Sequence, residues 1–235
     1  MKNKESLPVG EEKRNMVKSM FDDIAPSYEK ANKFISLGMD KHSRKIAIKA
    51  LRASKNSLII DLASGTGDLS RMLIKEGARP ISCDFSYGML DNSYGTLLSV
   101  QCDGNNMPFA DNSCDGLICG YGLRNFVDLE TLFIEINRVL KPGARFVAVD
   151  VSVPKNPIIR IFNKLWMFKI APKLGKIISK NKDAYEYLPR STSYLPSNEK
   201  IVELLKSVDH ENVSVDTLIG GSLILVCSTK SVAQG

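Results

Sequence analysis

An apolar run, Ser57 to Leu62, ends in the block Asp61-Leu62-Ala63-Ser64-Gly65-Thr66-Gly67-Asp68, and a helical pattern follows over Asp68 to Glu76. Gly65 and Gly67 let the backbone approach a ligand closely at a helix N-terminus. A dinucleotide fingerprint, G-x-G-x-x-G, wants a third glycine at position 70, where this chain has Ser70. The block therefore suits a pyrophosphate poorly. A methionine-sulfonium nucleoside carries no phosphate. It needs a tight glycine turn and hydrogen bonds to its ribose, amine and carboxylate. Acidic side chains near the loop suit its ammonium and sulfonium charges. Asp84 closes the next apolar run, Arg79 to Cys83, at the place where a carboxylate accepts from both ribose hydroxyls. Cys102-Asp103-Gly104 ends a third run, Leu98 to Cys102, at the height of an adenine, and Asp103 is placed to accept from the exocyclic amine.

These residues converge only if their strands lie parallel in one sheet. The chain alternates accordingly. Strands are expected over Ser57–Leu62, Arg79–Cys83, Leu98–Cys102, Asp115–Cys119 and Arg145–Val151. Helices are expected over Asp68–Glu76, Tyr87–Leu97 and Leu129–Leu140, the last stopped by Lys141-Pro142-Gly143. Strands separated by helices predict a parallel sheet covered on both faces. Two late apolar runs, Val213–Leu218 and Ser222–Ser228, flank Gly220-Gly221 and predict a closing hairpin-like pair. The fold class is thus α/β, a doubly wound, mostly parallel, seven-stranded Rossmann-like sheet. Earlier helices are expected over Met16–Ile24 and Asn32–Leu51, with Gly38 breaking the second. Residues 1–15 are expected to form a flexible tail and 16–230 one domain. Within it, 16–56 form a helical cap and 154–195 a basic helical insertion or lid, and 231–235 form a second tail.

Composition narrows the class. At 235 residues and 43% hydrophobic, the chain can bury a core without staples. Its longest uncharged stretch, Thr217 to Thr229, is too short to span a bilayer. No secretory segment is expected in the polar start, Met1 to Arg14. Five cysteines without a CxxC pair suit reduced thiols in a cytosol, and two histidines make a metal centre unexpected. The net charge of +6 is uneven: residues 1–60 and 151–200 are basic, while 61–150 are acidic. The basic blocks read as solvated faces or as surfaces meeting an anionic membrane or nucleic acid.

Further blocks carry a resemblance: Phe21-Asp22-Asp23-Ile24-Ala25 with Tyr28-Glu29-Lys30-Ala31-Asn32 and Ser36-Leu37-Gly38; Tyr121-Gly122-Leu123-Arg124-Asn125; Arg138 to Gly143 through Asp150-Val151-Ser152; and Lys182 to Leu188. With the glycine loop, they resemble the menaquinone/ubiquinone-biosynthesis C-methyltransferases, a family of class I S-adenosylmethionine-dependent methyltransferases. The likeness runs from about residue 16 to 229. It departs at Glu29, Ala31, Asp40, Ser43, Ala144 and Asp150, where the family usually carries Asp, Met, His, Trp, Gly and Glu.

The resemblance implies S-adenosyl-L-methionine as methyl donor, with S-adenosyl-L-homocysteine as product, and a reduced polyprenyl quinone as acceptor. It implies that Thr66, Asp84, Asp103, Gly104 and Gly120 bind the donor, beside the Asp61, Gly65 and Gly67 already singled out. It implies that Tyr28, Arg124 and Asn125 line the ring pocket, where Arg124 lowers the phenol pKa or orients a water, and Tyr28 or Asp128 takes part. A lipid acceptor also explains the insertion. Ile158, Ile161, Phe162 and Leu165 fall at helical spacing among Lys155, Arg160, Lys164, Lys169, Lys173, Lys176, Lys180 and Lys182. The segment reads either as a peripheral contact with the inner face of an anionic membrane or as a lid. Cytoplasmic placement follows, and a homodimer is left open. Methylation of another small aromatic or lipid acceptor is the nearest rival. Nucleic acid is not expected: no (Asn/Asp)-Pro-Pro-aromatic corner and no Pro-Cys dipeptide occurs. A nicotinamide oxidoreductase is opposed by Ser70, and a non-catalytic nucleoside-binding module remains a third rival.

Overall fold

The computed structural model describes residues 7–36, 38–96, 98–173 and 182–232. Leu37, Leu97, Lys176, Lys180 and the outermost residues of both tails lie outside them, as do the side chains of Lys182, Asp183 and Tyr185. The sheet has strands β1 (Leu58–Leu62), β2 (Arg79–Asp84), β3 (Leu98–Gln101), β4 (Cys114–Gly120), β5 (Leu140–Val151), β6 (His210–Leu218) and β7 (Leu223–Lys230). Their order is β3-β2-β1-β4-β5-β7-β6. Pairs among the first five strands are parallel, and β7 runs antiparallel to both β5 and β6. Strand order reverses between β1 and β4, which opens a crevice at their carboxyl ends where ligands of such sheets bind.

Period-two alternation sends neighbours to opposite faces. Ile60, Leu62, Leu117 and Cys119 pack with Leu132 and Ile136 of α6 (Leu129–Val139). Ile59 and Ile118 pack on the other face with Ala47 and Leu51 of α3 (Met39–Leu51) and Leu69 and Leu73 of α4 (Asp68–Lys75). Both faces are covered, so the central strands read as nearly continuous apolar runs.

Several boundaries differ from expectation. Helix α1 spans Gly10–Ile24, so the chain is ordered well before residue 16. Lys13 explains this: its buried Nζ donates to the carbonyls of Arg124 at 3.0 Å and Phe126 at 2.6 Å, a tie that local periodicity does not reveal. Helix α2 (Tyr28–Ser36) ends before Gly38, whose φ of 78° breaks it from α3 as expected. Helix α5 covers only Tyr87–Asp91, capped by Ser86. Lys141-Pro142-Gly143 lies inside β5, taken up by a register irregularity between Cys114 and Gly116 of β4. The insertion begins with α7 (Pro157–Leu165) and a wide turn, Trp166–Ile170. It is followed by α8 (Lys182–Ser191) and α9 (Asn198–Ser207). No helix among the described residues is long and apolar enough to cross a membrane.

Candidate active site

The glycine loop crosses from β1 to α4 with φ of 57° at Gly65 and 88° at Gly67, both in the left-handed region. A Cβ on Gly67 would stand 2.5 Å from Thr96 Cγ2, so this position admits only glycine. Asp84 ties the loop to the sheet. Its Oδ2 accepts from Gly65 N–H at 2.8 Å and its Oδ1 from Ser86 N–H at 2.9 Å. A carboxylate has about four lone-pair sites, so each oxygen keeps one for a ribose hydroxyl. Burial pushes Asp84 up to about 6, so it is ionised at neutral pH.

A cavity of about 370 Å³ opens over these strand ends. Of the residues singled out for the donor, Gly65, Asp84, Asp103, Gly104 and Gly120 line it. Asp61, Thr66 and Gly67 do not. Asp61 is fully buried and accepts from Ser70 Oγ at 2.7 Å, and Ser70 also meets Ser82 Oγ at 2.7 Å. The residue that replaces the third glycine therefore anchors α4 to the sheet.

Burial raises Asp61 to about 7, although the Ser70 hydroxyl and Arg44 favour its charged form. A raised native pKa means that this group's contribution to stability is complete below its unfolded value of about 4 and is lost as pH rises through about 7. Asp61→Asn keeps an acceptor for Ser70 and removes the charge. Thermal unfolding of this variant should show a smaller fall in Tm between about pH 5 and pH 8 than the parent shows, and a higher Tm at the alkaline end. An unchanged slope would exclude Asp61 as the titrating group.

The sequence reading missed the roof. Helix α1 covers the cavity with Arg14, Val17 and Phe21, and Phe85 and Met89 form further walls. Arg14 pairs with Asp103 Oδ2 at 2.8 Å, while Asp103 Oδ1 accepts from Asn105 N–H at 3.0 Å. The spacing of Val17, Phe21 and Ile24 carried the signal for this inward face; Arg14, one turn earlier, continues it.

A second cavity, of about 720 Å³, shares Phe21, Tyr28 and Tyr121 with the first. Its other walls are mainly apolar: Met20, Ile24 and Ile35 from the cap, Ile159 and Phe162 from α7, and Leu188 from α8. Tyr28 stands at the junction, its ring 3.9 Å from where a Gly65 Cβ would be. Burial raises its phenol pKa against the opposing pull of Arg44 and Arg124, so the hydroxyl stays protonated at neutral pH. Tyr121 carries φ of 66°, a left-handed conformation that costs a non-glycine residue about 1–2 kcal/mol. Its carbonyl accepts from Arg124 Nη1 at 2.6 Å and its hydroxyl meets Ser43 Oγ at 2.5 Å.

The Arg124-Asn125 pair divides between the two spaces. Arg124 lines the larger cavity, but its guanidinium is engaged: Nη1 pairs with the fully buried Asp150 and Nε donates to Ser191 Oγ at 3.0 Å. Burial opposes that charge and the Asp150 carboxylate offsets the cost. Asn125 lines the smaller cavity and accepts from Tyr187 Oη at 3.1 Å, so it does not sit in the ring pocket. Asp128 also falls on the nucleoside side. It caps α6, accepting from Glu130 N–H, Thr131 N–H and Thr131 Oγ1, and the Thr131 hydroxyl leads the contacts that lower its pKa. Those bonds occupy it as a cap and leave it a weak base.

A glycine turn after β1, an acidic residue closing β2 and the seven-stranded order with its antiparallel β7 are the features of a class I S-adenosylmethionine-dependent methyltransferase. The donor set fits that nucleoside: Asp84 keeps acceptor sites beside the loop, and buried hydroxyls of Ser64 and Thr66 have no hydrogen-bond partner among the described residues. More narrowly, the chain belongs to the ubiE/COQ5 methyltransferase family, whose sequence model matches residues 8–230. A Clavibacter sepedonicus relative described as demethylmenaquinone methyltransferase is 36% identical over 213 residues, covering 86% of this chain and 87% of that protein. Among solved structures, an S-adenosylmethionine-dependent methyltransferase of Thermotoga maritima has a TM-score of 0.66 at 16% identity, covering 91% of this chain and 99% of that one. Haemonchus contortus phosphoethanolamine N-methyltransferase 2, solved with S-adenosyl-L-methionine, has a TM-score of 0.65 at 16% identity, covering 86% of this chain and 56% of that one. Those two likenesses speak for the fold. The chain is a C-methyltransferase of quinone biosynthesis that uses S-adenosylmethionine.

Proposed function

We propose that the acceptor is a polyprenyl naphthoquinol, converted from demethylmenaquinol to menaquinol. The observation that carries this reading is the junction of the two cavities. A large apolar space fit for a ring and the start of a prenyl chain meets the nucleoside space at Phe21, Tyr28 and Tyr121. The name printed for the Clavibacter relative points to the same acceptor.

S-adenosylmethionine supplies a methyl group already activated by its sulfonium. The chain's own residues position the acceptor. Well-oriented reactants gain about 7–11 kcal/mol of the barrier from placement alone. The Tyr28 hydroxyl, kept protonated by burial, holds a quinol oxygen at the junction. Arg124, held by Asp150, sets a positive charge on the wall of the acceptor cavity, where it favours the quinol in its phenolate form. The ring carbon of the phenolate bonds the methyl, the sulfur keeps the bonding pair and leaves as the neutral thioether of S-adenosylhomocysteine, and the ring proton passes to solvent water as aromaticity is restored.

Purified protein incubated with S-adenosylmethionine and chemically reduced demethylmenaquinone tests the reading. Menaquinone detected by mass spectrometry is the expected product. Turnover confined to a benzoquinol substrate, or absent with both quinols, would overturn the acceptor.

The same reading places the protein on the membrane periphery. Ile158, Ile161 and Phe162 of α7 are about two-thirds exposed, beside Lys155, Arg160 and Lys164. Inserting Ile161 and Phe162 is worth about 1.5–3 kcal/mol each. The protein should float with anionic vesicles at low salt, and the double substitution Ile161→Glu, Phe162→Glu should cut binding by at least about tenfold. Flotation equal for parent and variant would leave α7 as a lid alone.

A further inference from the structure

The wall of the larger cavity carries a single carboxylate among the described residues, Asp40. It stands in the first turn of α3, half-buried, and two side chains of α2 hold it. Its Oδ1 accepts from Ser36 Oγ at 2.7 Å and its Oδ2 from Asn32 Nδ2 at 3.3 Å. Ser36 Oγ itself accepts from Gly38 N–H at 3.2 Å, so its own proton is committed to Asp40. An ionised carboxylate has about four lone-pair sites, so each Asp40 oxygen keeps an acceptor site open.

No other titratable group on that wall, among the described residues, is fit to accept a proton. Burial raises the phenols of Tyr28 and Tyr187, and Tyr187 Oη donates to Asn125. Burial also pushes Tyr121 up to about 12, against Ser43 and Arg44, and Asp40 adds to the rise, which marks its charge as close to this junction residue. Ser43 Oγ donates to the Asp40 carbonyl at 2.9 Å, so the Tyr121 hydroxyl must donate to Ser43. Arg124, Arg160 and Lys164 are cationic side chains. His42, on the same helix as Asp40, is exposed and lines neither cavity.

A quinol carbon that attacks a methyl group draws electrons from the hydroxyl oxygen. Unless the proton leaves, that oxygen ends as a protonated ketone, a far stronger acid than a phenol of pKa about 10. A carboxylate is a weak base toward the resting phenol and a sufficient one as the carbon–methyl bond forms. We propose that Asp40 is the general base that takes the hydroxyl proton of the quinol during methyl transfer. The inference rests on the quinol reading above. The O–H bond breaks toward an Asp40 oxygen and its electron pair stays on the quinol oxygen, which feeds the ring. The ring carbon bonds the methyl and the sulfur leaves with its bonding pair. When the ring proton passes to water, the quinol oxygen takes its proton back from Asp40, so the net release is that ring proton. Arg124 steadies the negative charge that Asp40 uncovers.

Single-turnover methyl transfer to chemically reduced demethylmenaquinone, at saturating donor, tests this. Asp40→Asn keeps an acceptor for Ser36 and removes the base. Its rate at about pH 7.5 should be lower by about a hundredfold, with the half-saturating quinol concentration within about threefold of the parent. Between about pH 7 and pH 9 the parent rate should be level, because a carboxylate is ionised throughout, while the variant rate should climb about tenfold per unit as the free phenolate becomes available. The groups that share the cavity with Asp40, Tyr28, Tyr121, Arg124, Arg160 and Lys164, and Arg44 on its own helix, are common to both proteins, so the difference in slope reports Asp40. Added formate should restore at least about tenfold to Asp40→Ala. A parent rate that itself climbs tenfold per unit would overturn the proposal with no variant needing to fold. So would an Asp40→Asn rate within about threefold of the parent, or a loss equal at every pH and untouched by formate, which would leave Asp40 as a tie between α2 and α3. A parent inactive on every quinol would overturn the acceptor and this proposal together; an active parent with the wrong slope overturns Asp40 alone.

Discussion

Replacing Asp84 should abolish donor binding at working concentrations. Both Asp84 oxygens already accept a backbone N–H, from Gly65 and from Ser86, and each has one acceptor site left for a ribose hydroxyl. Hydrogen bonds to a charged group are worth about 1.5–3 kcal/mol each, so the loss of two corresponds to at least about a hundredfold in affinity. Asp84→Asn is not conservative here: wherever its amide NH2 points, it faces a backbone N–H that needs an acceptor. Calorimetry with S-adenosylhomocysteine should show the hundredfold loss for Asp84→Asn and a greater one for Asp84→Ala, which also frees the loop. The unaltered protein should show the same dependence through pH. Because burial holds Asp84 up at about 6, affinity should be level above about pH 7. It should fall by up to about tenfold per unit below about pH 6, as the acceptor is protonated. Wild-type affinity in Asp84→Asn would remove the ribose contact and the pH dependence with it.

Arg124→Ala should cost stability and turnover together, through different causes. Asp150 is wholly buried, and its partner Arg124 also holds the Tyr121 carbonyl and Ser191 of α8. Removing one member of such a pair leaves an uncompensated buried charge, at a cost of about 3–5 kcal/mol. Urea unfolding should register that loss. The double change Arg124→Met, Asp150→Leu should recover only part of it: apolar side chains replace the buried ion pair at little cost, but the backbone N–H groups of Arg124 and Val151 lose their Asp150 acceptor. It should not recover kcat, because the acceptor cavity then has no fixed charge beside the quinol oxygen. Donor affinity should move far less than turnover in either variant. A double variant restored in both stability and kcat would reduce Arg124 to a structural tie.

The glycine turn and the strand ends beside it were legible because their signals are local. Gly65 and Gly67 announce a left-handed turn, Ser70 argues against a pyrophosphate, and Asp84 and Asp103 follow strands whose apolar runs are plain in the sequence. Burial on both sheet faces gives the central strands nearly continuous apolar runs, which made them legible for the same reason. Errors came where a long-range contact outweighs local pattern. Residues 10–15 read as tail because nothing nearby predicts that Lys13 reaches carbonyls of Arg124 and Phe126, more than a hundred positions away. Lys141-Pro142-Gly143 read as a stop, and pairing with β4 carries it inside β5 through an irregular register. Asn125 and Asp128 were assigned to the acceptor; the orientation of the turn after β4 puts both on the nucleoside side.

By itself, then, the sequence determined the class of sheet, the order in which its strand ends deliver acidic groups, and a phosphate-free nucleoside as ligand, because glycine conformation and strand periodicity are written over a few residues at a time. Only the tertiary structure decided which helix roofs the smaller cavity, that Arg124 is committed to Asp150, and that an apolar cavity adjoins at Tyr28. Each of these depends on side chains far apart in the chain meeting out of water, where charge and hydrogen-bond demand are set by the neighbours that folding brings together.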